Sequence, residues 1–424
     1  MKSENRKMLV STLAQMGEMA KMASYELAAS SADDRNSCLS NMADTLVKES
    51  AYIETENKKD VADARKKGLS KAMVDRLMLD SGRIREMADT LRAMAKLDDP
   101  LGKTLSSCIR PNGLRIDKVS VPIGVIGIVY EARPNVTVDA AALCLKAGNA
   151  VLLRGGSEAI NTNIALAHCI NRACTASGLP HGTVQLLPWT DRQAVEILLG
   201  LDQYIDLIIP RGGESLIRTV VELSRIPVIK HYKGVCHAYI DSECDLGMAE
   251  RIVVNAKCQR PGVCNAIEKI LIHKAIARRA VPRLAKALEG EGVEIRGDSS
   301  FRKLHPKCKP ASESDWSEEY LDLIIAAKIV PDLASAIEHI NRYGSHHSET
   351  IVTGVAENAE QFLNKVDSAA VYWNASTRFT DGGQFGMGAE IGISTDKLHA
   401  RGPMGLTELT TYKYRIYGSG QCRE

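Results

Sequence analysis

Aromatic side chains are scarce in this sequence: Phe, Trp and Tyr together make up 4% of 424 residues. That leaves little material for a base-stacking platform or an aromatic sugar-binding groove. An excess of charge is missing too. Lys and Arg number 54 against 52 Asp and Glu, a net charge of +2, so the broad basic face of a dedicated nucleic-acid or membrane-surface protein is excluded. The most apolar stretch, Val121 to Tyr130, falls short of the roughly 20 residues a membrane span needs. The first ten residues lack the apolar core of a signal peptide. Neither nucleic acid nor membrane is expected as a partner.

Familiar catalytic and metal-binding strings are also absent. None of the 11 cysteines is spaced Cys-x-x-Cys, so neither a zinc ribbon nor a thioredoxin-type pair is indicated, and no metal centre is expected. Their odd number and irregular spacing suit a reducing, cytoplasmic setting. There is no phosphate-binding G-x-x-x-x-G-K-[ST], no H-E-x-x-H, no G-x-S-x-G and no complete G-x-G-x-x-G.

What is present is a globular composition, 45% apolar and 25% charged, in a chain long enough for two or three domains. The first hundred residues carry apolar side chains at helical spacing (Val10, Leu13, Met16) and few strand signals. After the turn Pro111-Asn112-Gly113 the pattern changes. Residues 114–120 alternate as a half-exposed strand, and 122–130 form a continuous apolar strand of the kind buried on both faces. Strand and helix then alternate: helix 136–146, strand 150–154, helix 158–177, strand 184–187, helix 191–199 capped by Thr190, strand 205–209, helix 214–224, strand 227–232. A second run follows from helix 246–257, with 303–317 read as surface loop, and a closing strand spans 409–417. Such alternation with short connections predicts doubly wound parallel sheets.

Two glycine turns, Arg154-Gly155-Gly156-Ser157 and Arg211-Gly212-Gly213-Glu214, each fall between a strand and a helix, where α/β sheets bind ligands and where helix N–H groups attract phosphate. A plain βα turn explains either one alone. Cys264 follows Arg260-Pro261-Gly262 in a constrained loop. Nearby Lys257 and Arg260 would lower its thiol pKa if they are close in space. Asn135 follows the buried strand, placed either to cap a helix or to donate to an oxyanion.

Taken together, these residues resemble the aldehyde dehydrogenase superfamily. The strings VPIGVIGIVYEARPNVTVDAAALCLKAGNAVLLRGGSEA, NAKCQRPGVCNA and STDKLHARGPMGLTELTTYKY are similar to its γ-glutamyl phosphate reductase branch. The resemblance implies two doubly wound parallel-sheet domains plus a small β oligomerisation flap. An NADP(H)-binding domain would comprise 1–104 and 122–234, a catalytic domain 235–402, and the flap 105–121 with 403–424. It also implies roles. Cys264 is the nucleophile and Asn135 the oxyanion donor. Arg154, Gly155, Ser157 and Glu158 surround the adenosine ribose, the arginine suiting the 2′-phosphate of NADPH. Arg211, Gly212, Gly213 and Glu214 lie under the pyrophosphate, and Glu319 holds the nicotinamide ribose. Arg260, His399, Arg401, Arg133 and Glu390 are candidates for the substrate, L-glutamyl 5-phosphate, although a structural ion pair explains the cations as well. A homodimer or homotetramer is expected, with a functional link to glutamate 5-kinase in proline biosynthesis.

One departure from the wider superfamily bears on mechanism. Hydrolytic members carry a general-base glutamate, whereas no carboxylate lies between Glu222 and Asp241 here. Hydrolysis of a thioester needs a base to activate water, so its omission suits a reductase. A hydrolytic or CoA-acylating dehydrogenase, and a catalytically silent nucleotide-binding protein on the same fold, are the competing readings. Phosphate dependence of the reaction separates the first, and alkylation of Cys264 with protection by substrate the second.

Overall fold

The computed structural model describes residues 2–423. The chain divides into two compact units, each with its own parallel sheet.

The first unit holds residues up to Lys230, Met387–Gly392 and the chain from Met404 onward. Its amino-terminal part is helical: Lys2–Ala29, Ala32–Lys48, Ser50–Lys66, Lys71–Leu77 and Ser81–Ala95. Capping sets these boundaries. Ser31 and Asp34 form a capping box, and Asp80 accepts from the Arg83 N–H. Strand β1 (Thr104–Ile109) and β2 (Arg115–Pro122) form an antiparallel sheet with the carboxyl-terminal strand Thr410–Tyr417, β2 in the centre. β1 is exposed throughout and the terminal strand almost so. The parallel sheet contains β3 (Val125–Tyr130), β4 (Ala150–Arg154), β5 (Val184–Leu186) and β6 (Leu207–Arg211), in the order β5-β4-β3-β6. β3 is buried at all six positions, as its unbroken apolar run predicts. The order reverses between β3 and β6, so the crevice past their carboxyl ends is this sheet's topological switch point.

The second unit holds His231–Gly386 and Ile393–Pro403. Its strands are β7 (Cys236–Ile240), β8 (Ile267–His273), β9 (Glu294–Gly297), β10 (Lys309–Pro310), β11 (Ile324–Val330), β12 (Ser348–Val352) and β13 (Ala370–Trp373). They form one seven-stranded sheet ordered β10-β9-β11-β8-β7-β12-β13, parallel at every pairing. The helices Leu246–Cys258 and Ala277–Gly290 bury Val253, Ala256, Val281 and Leu284 with Ile270 and Ile325 of the sheet. Leu333, Ile337, Ile340 and Phe362 pack with Tyr239, Leu271 and Ile351. Each buried aliphatic side chain of this kind stabilises by about 1.5–3 kcal/mol.

Several sequence expectations need correction. Residues 227–232 form no named strand; Val228 makes a single bridge to Ile208, because Pro227 lacks an N–H for a ladder. The helix 192–198 is capped by Asp191, whose side chain accepts from Gln193 N–H, rather than by Thr190. Residues 303–317 are not all loop: they contain the end of a helix (Ser299–Leu304), β10 and a short 3₁₀ turn at Glu313–Trp316 closed by a Ser312–Asp315 capping box. The segment Met387–Gly392 belongs with the first unit, where Ile391 and Gly392 exchange backbone hydrogen bonds with Met404.

Candidate active site

In the first unit the two glycine turns prove different. The turn after β4 is packed tight. A Cβ on Gly155 would overlap Asn163 Nδ2, and its next neighbours would be the Tyr130 ring atoms at 3.0 Å. Ser157–Ala159 forms a 3₁₀ turn before the helix Ile160–Ala176. Two N–H groups at that helix start, those of Asn161 and Thr162, are already taken by Asp60. Asp60, buried in the helical layer, accepts from Thr162 N at 2.8 Å, Thr162 Oγ1 at 2.5 Å and Asn161 Nδ2 at 2.8 Å. A buried carboxylate thus fills the place a phosphate would want. Arg154 is half-buried; Nη2 donates to Thr190 O at 2.9 Å, and its Nε is buried without a partner among the described residues. Burial lowers its pKa, and nearby Glu158 opposes that shift.

The turn after β6 is open. Gly212 and Gly213 are exposed, and the helix Glu214–Leu223 begins directly behind them. Gly213 N donates to the exposed Glu131 carboxylate at 2.8 Å. A Cβ on Gly212 would sit 2.6 Å from Glu131 Oε2 and 2.7 Å from Leu216 Cδ2. Glu214 pairs with Arg218 at 2.6 Å. Of the two helix starts, this one can release its anion to solvent, so it fits a dinucleotide pyrophosphate. Asn135 opens the helix Asn135–Lys146 on the other side of the switch point, its Nδ2 donating to Asp139 at 2.9 Å. Burial pushes Asp139 up to about 6, with the Asn135 hydrogen bond and Arg211 opposing. Arg133 is exposed just before this helix, and Glu390 is half-buried.

In the second unit Cys264 lies at the amino end of the sheet, three residues before β8. His231 precedes β7, and His347 immediately precedes β12. The Cys264 thiol and one ring nitrogen of each histidine lie within 4.8 Å of one another. The loop is fixed from several directions. A Cβ on Gly234 would overlap the Cys264 carbonyl, so only glycine allows this approach. Cys236 Sγ reaches Cys264 O at 3.2 Å. Asn265 is held by Thr377 Oγ1, which donates to its carbonyl at 2.6 Å, and by the Thr380 carbonyl, which accepts from its Nδ2 at 2.9 Å. Arg378 bonds Asn265 and Gln259, and its charge interacts with both Cys264 and Arg260. A cation beside a thiol favours the thiolate.

Lys257 does not supply that cation. Its ammonium is fully buried 2.9 Å from Glu268. Arg260 is exposed. Glu319 is half-buried and accepts from Gly234 N at 2.8 Å. Arg401 pairs with Asp367 at 2.9 Å and also donates to its carbonyl at 3.1 Å, while His399 is exposed with φ 69°. Sequence reasoning missed His231, His347 and Arg378. Nothing in their local spacing marks them; His231 lies inside the expected strand 227–232, and no strand is expected at Cys236–Ile240, where β7 runs.

The other thiols are dissimilar. Burial raises Cys144, Cys169, Cys236, Cys244, Cys258 and Cys308, which keeps them protonated and unreactive. Among the described residues no helix is long and apolar enough to cross a membrane.

Comparison with known proteins places this arrangement. The aldehyde dehydrogenase family matches residues 8–298. Gamma-glutamyl phosphate reductase of Moorella thermoacetica is 56% identical over 408 residues, 96% of this chain and 98% of that protein. The same enzyme of Caldanaerobacter subterraneus is 55% identical over 405 residues, again 96% and 98%. The crystal structure of gamma-glutamyl phosphate reductase from Thermotoga maritima superposes with a TM-score of 0.96 at 45% identity, covering 97% of this chain and all 100% of that one. The chain therefore belongs to the aldehyde dehydrogenase family and, within it, to the γ-glutamyl phosphate reductase family.

Proposed function

We propose that this protein reduces L-glutamyl 5-phosphate to L-glutamate 5-semialdehyde, releasing phosphate, as a step of proline biosynthesis in the cytoplasm. The observation that carries the reading is Cys264: a half-buried thiol on a rigid loop, beside two imidazoles and a guanidinium, in a chain 56% identical to an enzyme of that name.

The chemistry assigned to this chain's residues is as follows. The Cys264 thiol loses its proton to His231, whose Nδ1 lies 2.7 Å from the Ile393 carbonyl. A carbonyl only accepts, so Nδ1 carries the hydrogen and the other ring nitrogen is the basic one. The thiolate attacks the acyl carbon, and phosphate leaves to give a γ-glutamyl thioester. The Cys264 backbone N–H supports the oxyanion. NADPH, when bound, supplies the hydride. Gly212, Gly213 and the helix behind them hold its pyrophosphate, and Arg154 with Ser157 and Glu158 hold the adenosine ribose and its 2′-phosphate. The hemithioacetal on Cys264 then collapses, returning the thiolate and the aldehyde.

The exposed antiparallel sheet pairs with a second copy, giving a homodimer or a tetramer of two dimers. Glutamate 5-kinase, which makes the acyl phosphate, is the functional neighbour. The test is the reverse reaction: glutamate semialdehyde, NADP and phosphate are each required for NADPH formation, and Cys264→Ser abolishes it while NADPH still binds. Turnover without phosphate, or wild-type turnover in Cys264→Ser, overturns the reading.

A further inference from the structure

We propose that Cys264, His231 and His347 together form a binding site for a thiophilic divalent cation of the zinc class, and that its occupancy reversibly blocks the enzyme. The cation site stands on geometry alone. Its inhibitory consequence rests on the reading of Cys264 as nucleophile.

The donors are one sulfur and two nitrogens within 4.8 Å of one another. Around tetrahedral Zn²⁺, with Zn–S about 2.3 Å and Zn–N about 2.0–2.1 Å, such donors stand roughly 3.3–3.6 Å apart. Small side-chain rotations close that gap. Both imidazoles are prepared for the task. The Ile393 carbonyl fixes the His231 Nδ1–H and so orients the opposite nitrogen as a ligand, the outer-shell arrangement typical of metal-binding histidines. His347 is fully buried, and its Nδ1 meets Ser348 Oγ at 2.9 Å. Ser348 is in turn 2.7 Å from Thr380 Oγ1, which lies 2.6 Å from the Tyr372 hydroxyl. This chain of hydroxyls holds the ring in place, while Nε2 is buried with no hydrogen-bond partner among the described residues. An unpaired buried nitrogen is costly, and a cation would satisfy it.

Softness selects the ion. One thiolate and two imidazoles suit Zn²⁺, Cu²⁺ or Co²⁺ and do not suit Mg²⁺ or Ca²⁺. Three protein donors leave a fourth position for water. Binding converts the thiol to a metal thiolate and releases its proton to solvent. A sulfur held by the metal is no longer available to attack the acyl phosphate. The donors come from segments far apart in the chain, and for that reason no metal motif is visible in the sequence.

The experiment titrates the purified full-length enzyme with Zn²⁺ against a chromogenic chelator, and with Co²⁺ by absorption spectroscopy. One equivalent of Zn²⁺ binds at micromolar concentration or below, with proton release. Co²⁺ gives a thiolate-to-metal charge-transfer band that is lost in Cys264→Ala. His347→Asn and the half-buried His231→Asn each weaken binding about tenfold or more, by analogy with the loss of metal-site partners. The second variant keeps the test decisive where the first fails to fold. Zn²⁺ stops turnover, and EDTA restores it. Binding that is not stoichiometric, or equal affinity in wild type, His231→Asn and Cys264→Ala, overturns the proposal. An active Cys264→Ala would instead sink the nucleophile reading, and the cobalt spectrum reports on the site independently of that result.

Discussion

Glu131 and Gly213 hold each other across the switch point of the first sheet: the Glu131 carboxylate accepts from Gly213 N at 2.8 Å. The acid occupies the helix start that a pyrophosphate would use, and it is exposed, so it can swing away. Glu131→Gln removes a negative charge that competes with the cofactor. The expected result is a KM for NADPH lowered about three- to tenfold, with the gain largest at low salt. Steady-state kinetics at two ionic strengths check it; a raised KM would show that Glu131 organises the turn instead.

Arg154 should discriminate between the two nicotinamide cofactors. Arg154→Ala is expected to raise the KM for NADPH by about tenfold or more and to leave that for NADH nearly unchanged, since a guanidinium contributes chiefly through the 2′-phosphate. Equal losses for both cofactors would place Arg154 in the scaffold.

The buried Lys257–Glu268 pair makes a stability prediction. Lys257→Met leaves Glu268 buried with only the Lys269 charge and the Leu321 N–H to offset its desolvation, and the expected loss is about 3 kcal/mol. Lys257→Met with Glu268→Leu should recover most of it, because two well-packed apolar groups replace two desolvated charges. Urea denaturation of the single and double variants measures the difference.

Asp139 gives a pH dependence of definite sign. Burial raises it from 3.8 to about 6 in the folded chain, so the native state binds its proton more tightly than the unfolded state does. Its contribution is complete below about pH 4 and declines as pH rises through 6. Asp139→Asn should therefore match wild type near pH 4 and exceed it at neutral pH, by about 1–2 kcal/mol once solvent screening of a half-buried group is allowed for. Unfolding midpoints at the two pH values decide the matter. An advantage that shrinks as pH rises would refute the assignment.

The exposed antiparallel sheet presents Leu105, Ile109 and Ile416 to solvent at 56%, 74% and 61% accessibility. On the homo-oligomer proposed above, Ile109→Asp with Ile416→Asp is expected to give a monomer in sedimentation velocity without altering the far-ultraviolet circular dichroism. An unchanged oligomer would move the interface elsewhere.

Much of this architecture was legible locally. β3 and the helices after it follow from apolar periodicity, and the loop bearing Cys264 from Arg260-Pro261-Gly262. Cap identities were legible only in part, because Thr190 and Asp191 are both good caps and only the backbone path chooses between them. The electrostatics were not legible. Lys257 lies near Cys264 in sequence, yet its position on the helix Leu246–Cys258 turns it into the core to meet Glu268. Arg378, more than a hundred residues on, stands where Lys257 was expected. His231 and His347 are brought to Cys264 by strand order, with β12 beside β7 and β7 beside β8, and that is a non-local fact. Asp60 at the start of Ile160–Ala176 is equally non-local, and it is what separates a structural helix start from one that fits a ligand.

The placement of Cys264 before β8, within 4.8 Å of ring nitrogens from residues preceding β7 and β12, has a consequence for biogenesis. Synthesis proceeds from the amino terminus, so the thiol leaves the ribosome well before His347 and Arg378 exist. Pairings of this sequence separation also form late. A nascent or half-folded chain therefore carries an ordinary cysteine. On the role proposed for Cys264, alkylating agents and oxidants meet an activated thiol only on molecules whose second sheet is already complete.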